Sequence, residues 1–200
     1  MTTTADPPQG APAASLLHRG LAAHRAGDTA AADALYRQVL AAEPGQADAL
    51  YLLATLRLGR HQLPEAVALL RRAVAAQPGF TQARHLLGEA LEASGDSAGA
   101  ITAWRAALAL QPDLAETQLR LGRLLFGRRE TAAAAACFRA AVALRPQDAG
   151  SRNNLAIALQ TLGDAEGAVA EYRRALELRP DAADIHTNLG CALLTLNDWA

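Results

Sequence analysis

The sequence predicts an all-α fold, a right-handed α-α superhelix (a solenoid) of stacked antiparallel helical hairpins. Three observations carry that expectation. Pro44, Pro78, Pro112, Pro146 and Pro180 are each separated by 34 residues, and a fixed period of that length marks a repeat architecture. Apolar residues make up 51% of the chain but aromatics only 4%, so Ala and Leu dominate, which suits helices that approach closely. The β-branched and aromatic residues that strands favour are scarce.

Taken in order, residues 1–12 are rich in Thr, Pro, Gly and Ala and read as a disordered lead-in. Five units of two helices follow at 13–46, 47–80, 81–114, 115–148 and 149–182, with the periodic proline as the thirty-second residue of each. Proline ends the second helix of a unit, because it donates no backbone hydrogen bond and restricts the residue before it. A sixth unit, 183–200, holds a first helix only. Its Ile185, Leu189, Leu193 and Leu196 leave part of an apolar stripe uncovered, so the chain is expected to be an excerpt of a longer protein.

Within a unit, columns of equivalent residues assign the packing. The eighth position is Gly20, Ala54, Gly88, Gly122, Ala156 and Gly190, and the twentieth is Ala32, Ala66, Ala100, Ala134 and Ala168. Small residues there let the two helices of a hairpin touch. The twenty-fourth is Tyr36, Leu70, Trp104, Phe138 and Tyr172, bulky enough to plug the gap towards the next hairpin, and the seventh is Leu from Leu53 onward. Asp28, Asp96 and Asp164 follow Gly27, Gly95 and Gly163 and are placed to cap the second helices. Pro64 falls in a first helical turn, where proline is tolerated.

These columns resemble the tetratricopeptide repeat, whose consensus pairs Leu-Gly with a later Ala, an aromatic and a closing Pro. The resemblance spans residues 13–182 in full and 183–200 in part. Departures are few. The family's early Trp is replaced by Leu16, Leu50, Arg84, Gln118, Arg152 and His186, Arg19 stands where Leu is expected, and Arg57 interrupts an apolar column.

In that family the first helices line a concave groove, so the resemblance implies a partner-binding face of His18, His24, Arg25, Tyr51, His85, Glu89, Arg120, Arg123, Phe126, Asn153, Asn154 and Asn188. Asn154 and Asn188 share one column, and an amide that both donates and accepts can grip an extended peptide backbone. That pair is similar to the asparagine ladder in the repeat arm of O-linked N-acetylglucosamine transferases. The Lys, Asn and Arg combination with which some relatives clamp a C-terminal carboxylate is missing, which disfavours that mode.

Charge and motif content narrow the function. With 19 basic and 20 acidic residues the formal net charge is −1, and no basic stripe is read from the chain, so nucleic acid is not an expected partner. RNA recognition by helical repeats fails on the same ground. No apolar run reaches membrane-spanning length, and the N-terminus lacks a secretory signal. The two cysteines, Cys137 and Cys191, have no metal-ligand spacing, and a reducing, cytoplasmic setting fits them. Cys137 is expected to be an inert packing residue, and Cys191 to face the groove without a basic cluster to activate it.

His18, His24 and His85 lack the spacing or companions of a zinc site. No phosphate loop, nucleophile elbow or paired-carboxylate motif occurs, so no catalytic residue and no cofactor is expected. The leading function is a scaffold that binds a protein or peptide in its groove. The alternative rests on resemblance. His24-Arg-Ala-Gly-Asp28 and Leu35-Tyr-Arg-Gln38 are similar to bacterial repeat arms that precede glycosyltransferase or sulfotransferase domains.

Overall fold

The computed structural model describes residues 12–197. The lead-in expected before the first unit lies outside them except for Pro12, as do Asp198, Trp199 and Ala200. Eleven helices and no strand are found among the described residues. They are α1 Ala13–Arg25, α2 Thr29–Ala42, α3 Ala47–Gly59, α4 Leu63–Ala76, α5 Thr81–Ala93, α6 Ser97–Leu110, α7 Ala115–Gly127, α8 Thr131–Leu144, α9 Ala149–Thr161, α10 Ala165–Leu178 and α11 Ala183–Asn197.

The chain divides into two compact units between Asp96 and Ser97. In the first, α1 pairs with α2 and α3 with α4, while α2 packs on α3 and α4 on α5. In the second, α7 pairs with α8 and α9 with α10. There α6 packs on α7, α8 on α9, and α11 on α10 and α9. Stacked helical hairpins are therefore the architecture of each unit.

The turn inside each hairpin has one design. Gly27, Gly95 and Gly163 adopt φ of +81°, +86° and +87°, the left-handed conformation that ends a helix most cheaply when no Cβ is present. His61 and Arg129 hold the same place with φ of 57° and 63°. After each of these residues the next amide reaches back to the first helix. The amides of Asp28, Gln62, Asp96, Glu130 and Asp164 donate to the carbonyls of Ala23, Arg57, Leu91, Leu125 and Leu159 at 2.9–3.0 Å. Asp28 and Asp164 then cap α2 and α10, accepting from the amides of Ala31 and Gly167, both at 2.9 Å. The longer Gln62 and Glu130 make no such cap. Pro64 sits in the first turn of α4.

Each second helix stops two residues short of its proline. The residue before proline is extended, as steric contact with the ring requires, with φ of −129° at Glu43, −134° at Gln77, −131° at Arg145 and −137° at Arg179.

Packing follows the columns. Ala32, Ala66, Ala100, Ala134 and Ala168 are fully buried, and Tyr36, Leu70, Trp104, Phe138 and Tyr172 are buried with them. Tyr36 clusters with Leu53 and Leu56 of α3, so it plugs the space towards the following hairpin. It also rests on its own hairpin, because a Cβ on Gly20 would stand 2.6 Å from Tyr36 Cε1. A Cβ on Gly122 would stand at the same 2.6 Å from Phe138 Cε1. The glycines therefore make room for a ring as well as for a helix. Burying one such Leu as Leu121 contributes roughly 1.5–3 kcal/mol.

Two arginines that depart from the repeat consensus, Arg57 and Arg152, are explained by partners elsewhere. Arg57 is only 3% exposed. It pairs with Asp33 of α2 and, through Nε at 2.7 Å, with Glu65 of α4. Asp33 also meets Arg37 at 2.8 Å and Arg60 at 3.7 Å. Burial pushes the Asp33 carboxyl up, but the Arg57 hydrogen bond and the surrounding arginine charges outweigh it, so the group lies below the ordinary 3.8. In the second unit, Arg152 of α9 bonds Glu171 of α10 at 2.8 Å, and Arg174 bonds the other oxygen of Glu171 at 2.6 Å. Arg19, by contrast, stands exposed on α1.

Candidate functional site

The first-helix residues singled out from the sequence fall into two sets, one in each unit. In the first unit, Tyr51 of α3 is half-buried and packs its ring on Phe80, with centroids 5.1 Å apart and planes at 45°. Burial pushes the Tyr51 phenol up, and the charge of Glu89 on α5 adds to the effect. Glu89 in turn lies 3.4 Å from His85 Nε2, one helical turn earlier. Tyr51, Phe80, His85 and Glu89 thus form one aromatic and polar cluster between α3 and α5.

His24 is engaged differently. Its Nδ1 lies 3.4 Å from the Tyr36 hydroxyl and its ring meets Tyr36 edge-on at 6.3 Å, so it closes the α1–α2 hairpin. His18 and Arg25 stand exposed on α1.

In the second unit the first helices α7, α9 and α11 adjoin in order. On α7, Arg120 Nε donates to Glu116 at 2.9 Å, while Arg123 is exposed and Phe126 half-buried. Between α9 and α11, Asn188 Nδ2 donates to Asn153 Oδ1 at 3.3 Å. The two asparagines of one column, Asn154 and Asn188, are therefore not equivalent. Asn188 turns to Asn153, whereas Asn154, half-buried on α9, makes no side-chain hydrogen bond with a described residue. The arrangement can offer amide donors and acceptors to an extended backbone.

Phe80 was missed by sequence reasoning because it precedes α5 instead of lying on a first helix. A second omission is larger. Arg37, Arg71, Arg105, Arg139 and Arg173 share one repeat position on the second helices, and all are exposed. This corrects the expectation that no basic pattern exists. The 34-residue spacing that locates the prolines locates these arginines too, whereas net charge hides them.

The cysteines differ in surroundings. Cys137 is half-buried on α8, where burial pushes its thiol up against the opposing charge of Arg105, so the reactive thiolate is disfavoured. Cys191 is exposed on α11. Among the described residues no group of three or more His, Cys, Asp or Glu side chains gathers to hold a metal ion, and no helix is long and apolar enough to cross a membrane.

Antiparallel helix pairs repeating every 34 residues, with polar and aromatic side chains gathered on the first helices, define an α-helical repeat protein. Three family models sharpen that class: two described as tetratricopeptide repeat match residues 23–90 and 85–149, and one described as TPR repeat matches residues 161–197. The chain belongs to the tetratricopeptide-repeat family.

Solved structures agree on the fold. MamA protein is 22% identical, with a TM-score of 0.76 over 86% of this chain and 94% of that one. YrrB, described as a TPR protein with an unusual peptide-binding site, is 18% identical, with a TM-score of 0.78 over 88% and 91%. A thermophilic TPR protein of Thermus thermophilus is 26% identical, with a TM-score of 0.56 over 92% and 100%. No curated protein gives a significant match.

Proposed function

We propose that this chain is a tetratricopeptide-repeat scaffold that binds a protein or peptide along the faces of its first helices and performs no chemistry itself. The observation that carries the reading is the amide cluster of the second unit. Asn153 and Asn188 join α9 to α11 while the Asn154 amide, one residue away, keeps its donors and acceptor for a ligand backbone. Tyr51, Phe80, His85 and Glu89 supply a first-unit surface with a flat ring and a charge. His18, Arg25, Arg120, Arg123 and Phe126 complete the candidate face, and His24 supports it through Tyr36. YrrB, which shares the fold, is described by its peptide-binding site, and this favours the same role here.

The proposal includes the division into five repeat units over 13–182 with a first helix of a sixth after them. It also includes a cytoplasmic setting and no nucleic-acid or membrane partner. The test is affinity capture with the parent chain, the Asn154→Ala/Asn188→Ala variant and Tyr51→Ala, followed by circular dichroism of each. Partners retained by the parent and lost from the variants, with helicity unchanged, are expected. An identical partner list for all three chains would refute the first-helix face.

A further inference from the structure

The second helices of neighbouring hairpins, with the first helix between them, border open clefts, and two of these clefts use the same repeat positions. In the first unit a cleft of about 450 Å³ lies over Leu40, Leu53 and Leu69, with Arg37, Arg57 and Arg72 around it. In the second unit its counterpart of about 580 Å³ lies over Val142, Leu155 and Leu159, with Arg139, Arg152 and Arg174 around it. Arg37 and Arg139 are one repeat position and Arg72 and Arg174 another, each pair 102 residues apart. Both volumes fall in the range of ligand sites.

The balance of charge separates the two. Asp33 and Glu65 answer most of the arginine charge in the first cleft. The second is lined by three arginines and one carboxylate, Glu171, whose oxygens are already taken by Arg152 at 2.8 Å and Arg174 at 2.6 Å. Arg139 makes no ion pair or hydrogen bond with a described residue. Two positive charges are thus left over beside an apolar floor. The junction of α6 with α8 carries Arg105 but has Ala140 where Arg174 stands, so it lacks the second cation.

We propose that the cleft between α8 and α10 binds a peptide segment in which Asp or Glu alternates with Leu or Phe. An apolar side chain of the segment sits on Val142, Leu155 and Leu159, and its carboxylate lies between the guanidinium groups of Arg139 and Arg174, which present forked donors. Charge complementarity selects the acid, and the leucine floor selects against a purely acidic tail.

Isothermal titration of the full chain with acetyl-Asp-Leu-Glu-Phe-Asp-Leu-amide tests this. The parent is expected to bind it and to bind the peptide with Ser for Leu and Phe at least about tenfold more weakly. Arg139→Gln/Arg174→Gln is expected to lose about tenfold in affinity, and Arg105→Gln none. Arg139 has no partner to strand, so Arg139→Gln alone decides the matter if the double variant melts early. Asn154→Ala/Asn188→Ala is expected to bind like the parent, which separates this cleft from the first-helix face. A parent that does not bind, a double variant that binds as well as the parent, or equal binding of the Ser peptide would overturn the proposal. So would Arg139-dependent binding of a DNA duplex in place of the peptide.

Discussion

A methyl group added in one repeat column should have opposite effects at two glycines. A Cβ on Gly122 would stand 2.6 Å and 2.8 Å from the ring of Phe138 and 3.2 Å from Cys137 Cβ. Phe138 is 2% exposed, so its ring has little room to retreat. A Cβ on Gly190 would meet no described residue within 4 Å. Replacing a helical Gly by Ala gains about 1 kcal/mol of propensity at either site. Overpacking a filled core costs about 1–3 kcal/mol and applies only at Gly122.

Gly122→Ala should therefore destabilise its hairpin by about 1 kcal/mol, and Gly190→Ala should stabilise α11 by about the same. Ala156 is buried in the same column, so a methyl fits where a hairpin is built around one. Amide hydrogen exchange reads each site locally, which matters because repeat chains do not open as one unit. Protection in α7 and α8 is expected to fall about fivefold in Gly122→Ala, and protection in α11 to rise about fivefold in Gly190→Ala. Greater protection of α7 and α8 in Gly122→Ala would refute the ring-contact argument.

Other perturbations follow from the same geometry. His61→Gly and Arg129→Gly relieve left-handed backbone and should each add about 0.5 kcal/mol, whereas Gly27→Ala should lose about 1 kcal/mol, all measured by urea denaturation. Arg57→Ala removes the main partner of Asp33, which keeps Arg37 and Arg60, and should cost about 1–3 kcal/mol in the same assay. Asp33 titrates below 3.8 in the folded chain, so its contribution is present above that pH and fades as pH falls through the folded value. Acid titration monitored by circular dichroism should show that dependence weakened in Arg57→Ala. Leu121→Ala should cost about 2–5 kcal/mol and Glu116→Ala less than about 1, and equal melting temperatures would contradict the packing scheme.

What the sequence revealed was set by how local each constraint is. Small residues at Ala32 and its equivalents, bulky ones at Tyr36 and its equivalents, and the periodic prolines each do a job fixed by position within one hairpin or its neighbour, so a 34-residue comparison exposes them. Arg57 looked like a defect because its chief partner, Asp33, lies 24 residues earlier on another helix. His61 and Arg129 hid a turn that glycine marks elsewhere, because tertiary packing imposes the left-handed conformation on them. On the candidate face, repeat columns suggested a ladder of Asn154 and Asn188, but side-chain rotamers decide hydrogen bonds, and Asn188 reaches Asn153. His24 shows the same limit, since its partner Tyr36 belongs to the core.

The guanidinium of Arg57 touches three helices at once: α3, which bears it, α2 through Asp33 and α4 through Glu65. The pair with Asp33 is the one that joins the two hairpins and is largely shut away from solvent, whereas Glu65 lies mostly exposed on the hairpin of Arg57 itself, and parting the buried pair strands charge. The first two hairpins should consequently yield together under load, as a riveted joint does, while hairpins joined by alanine and leucine alone can peel one by one.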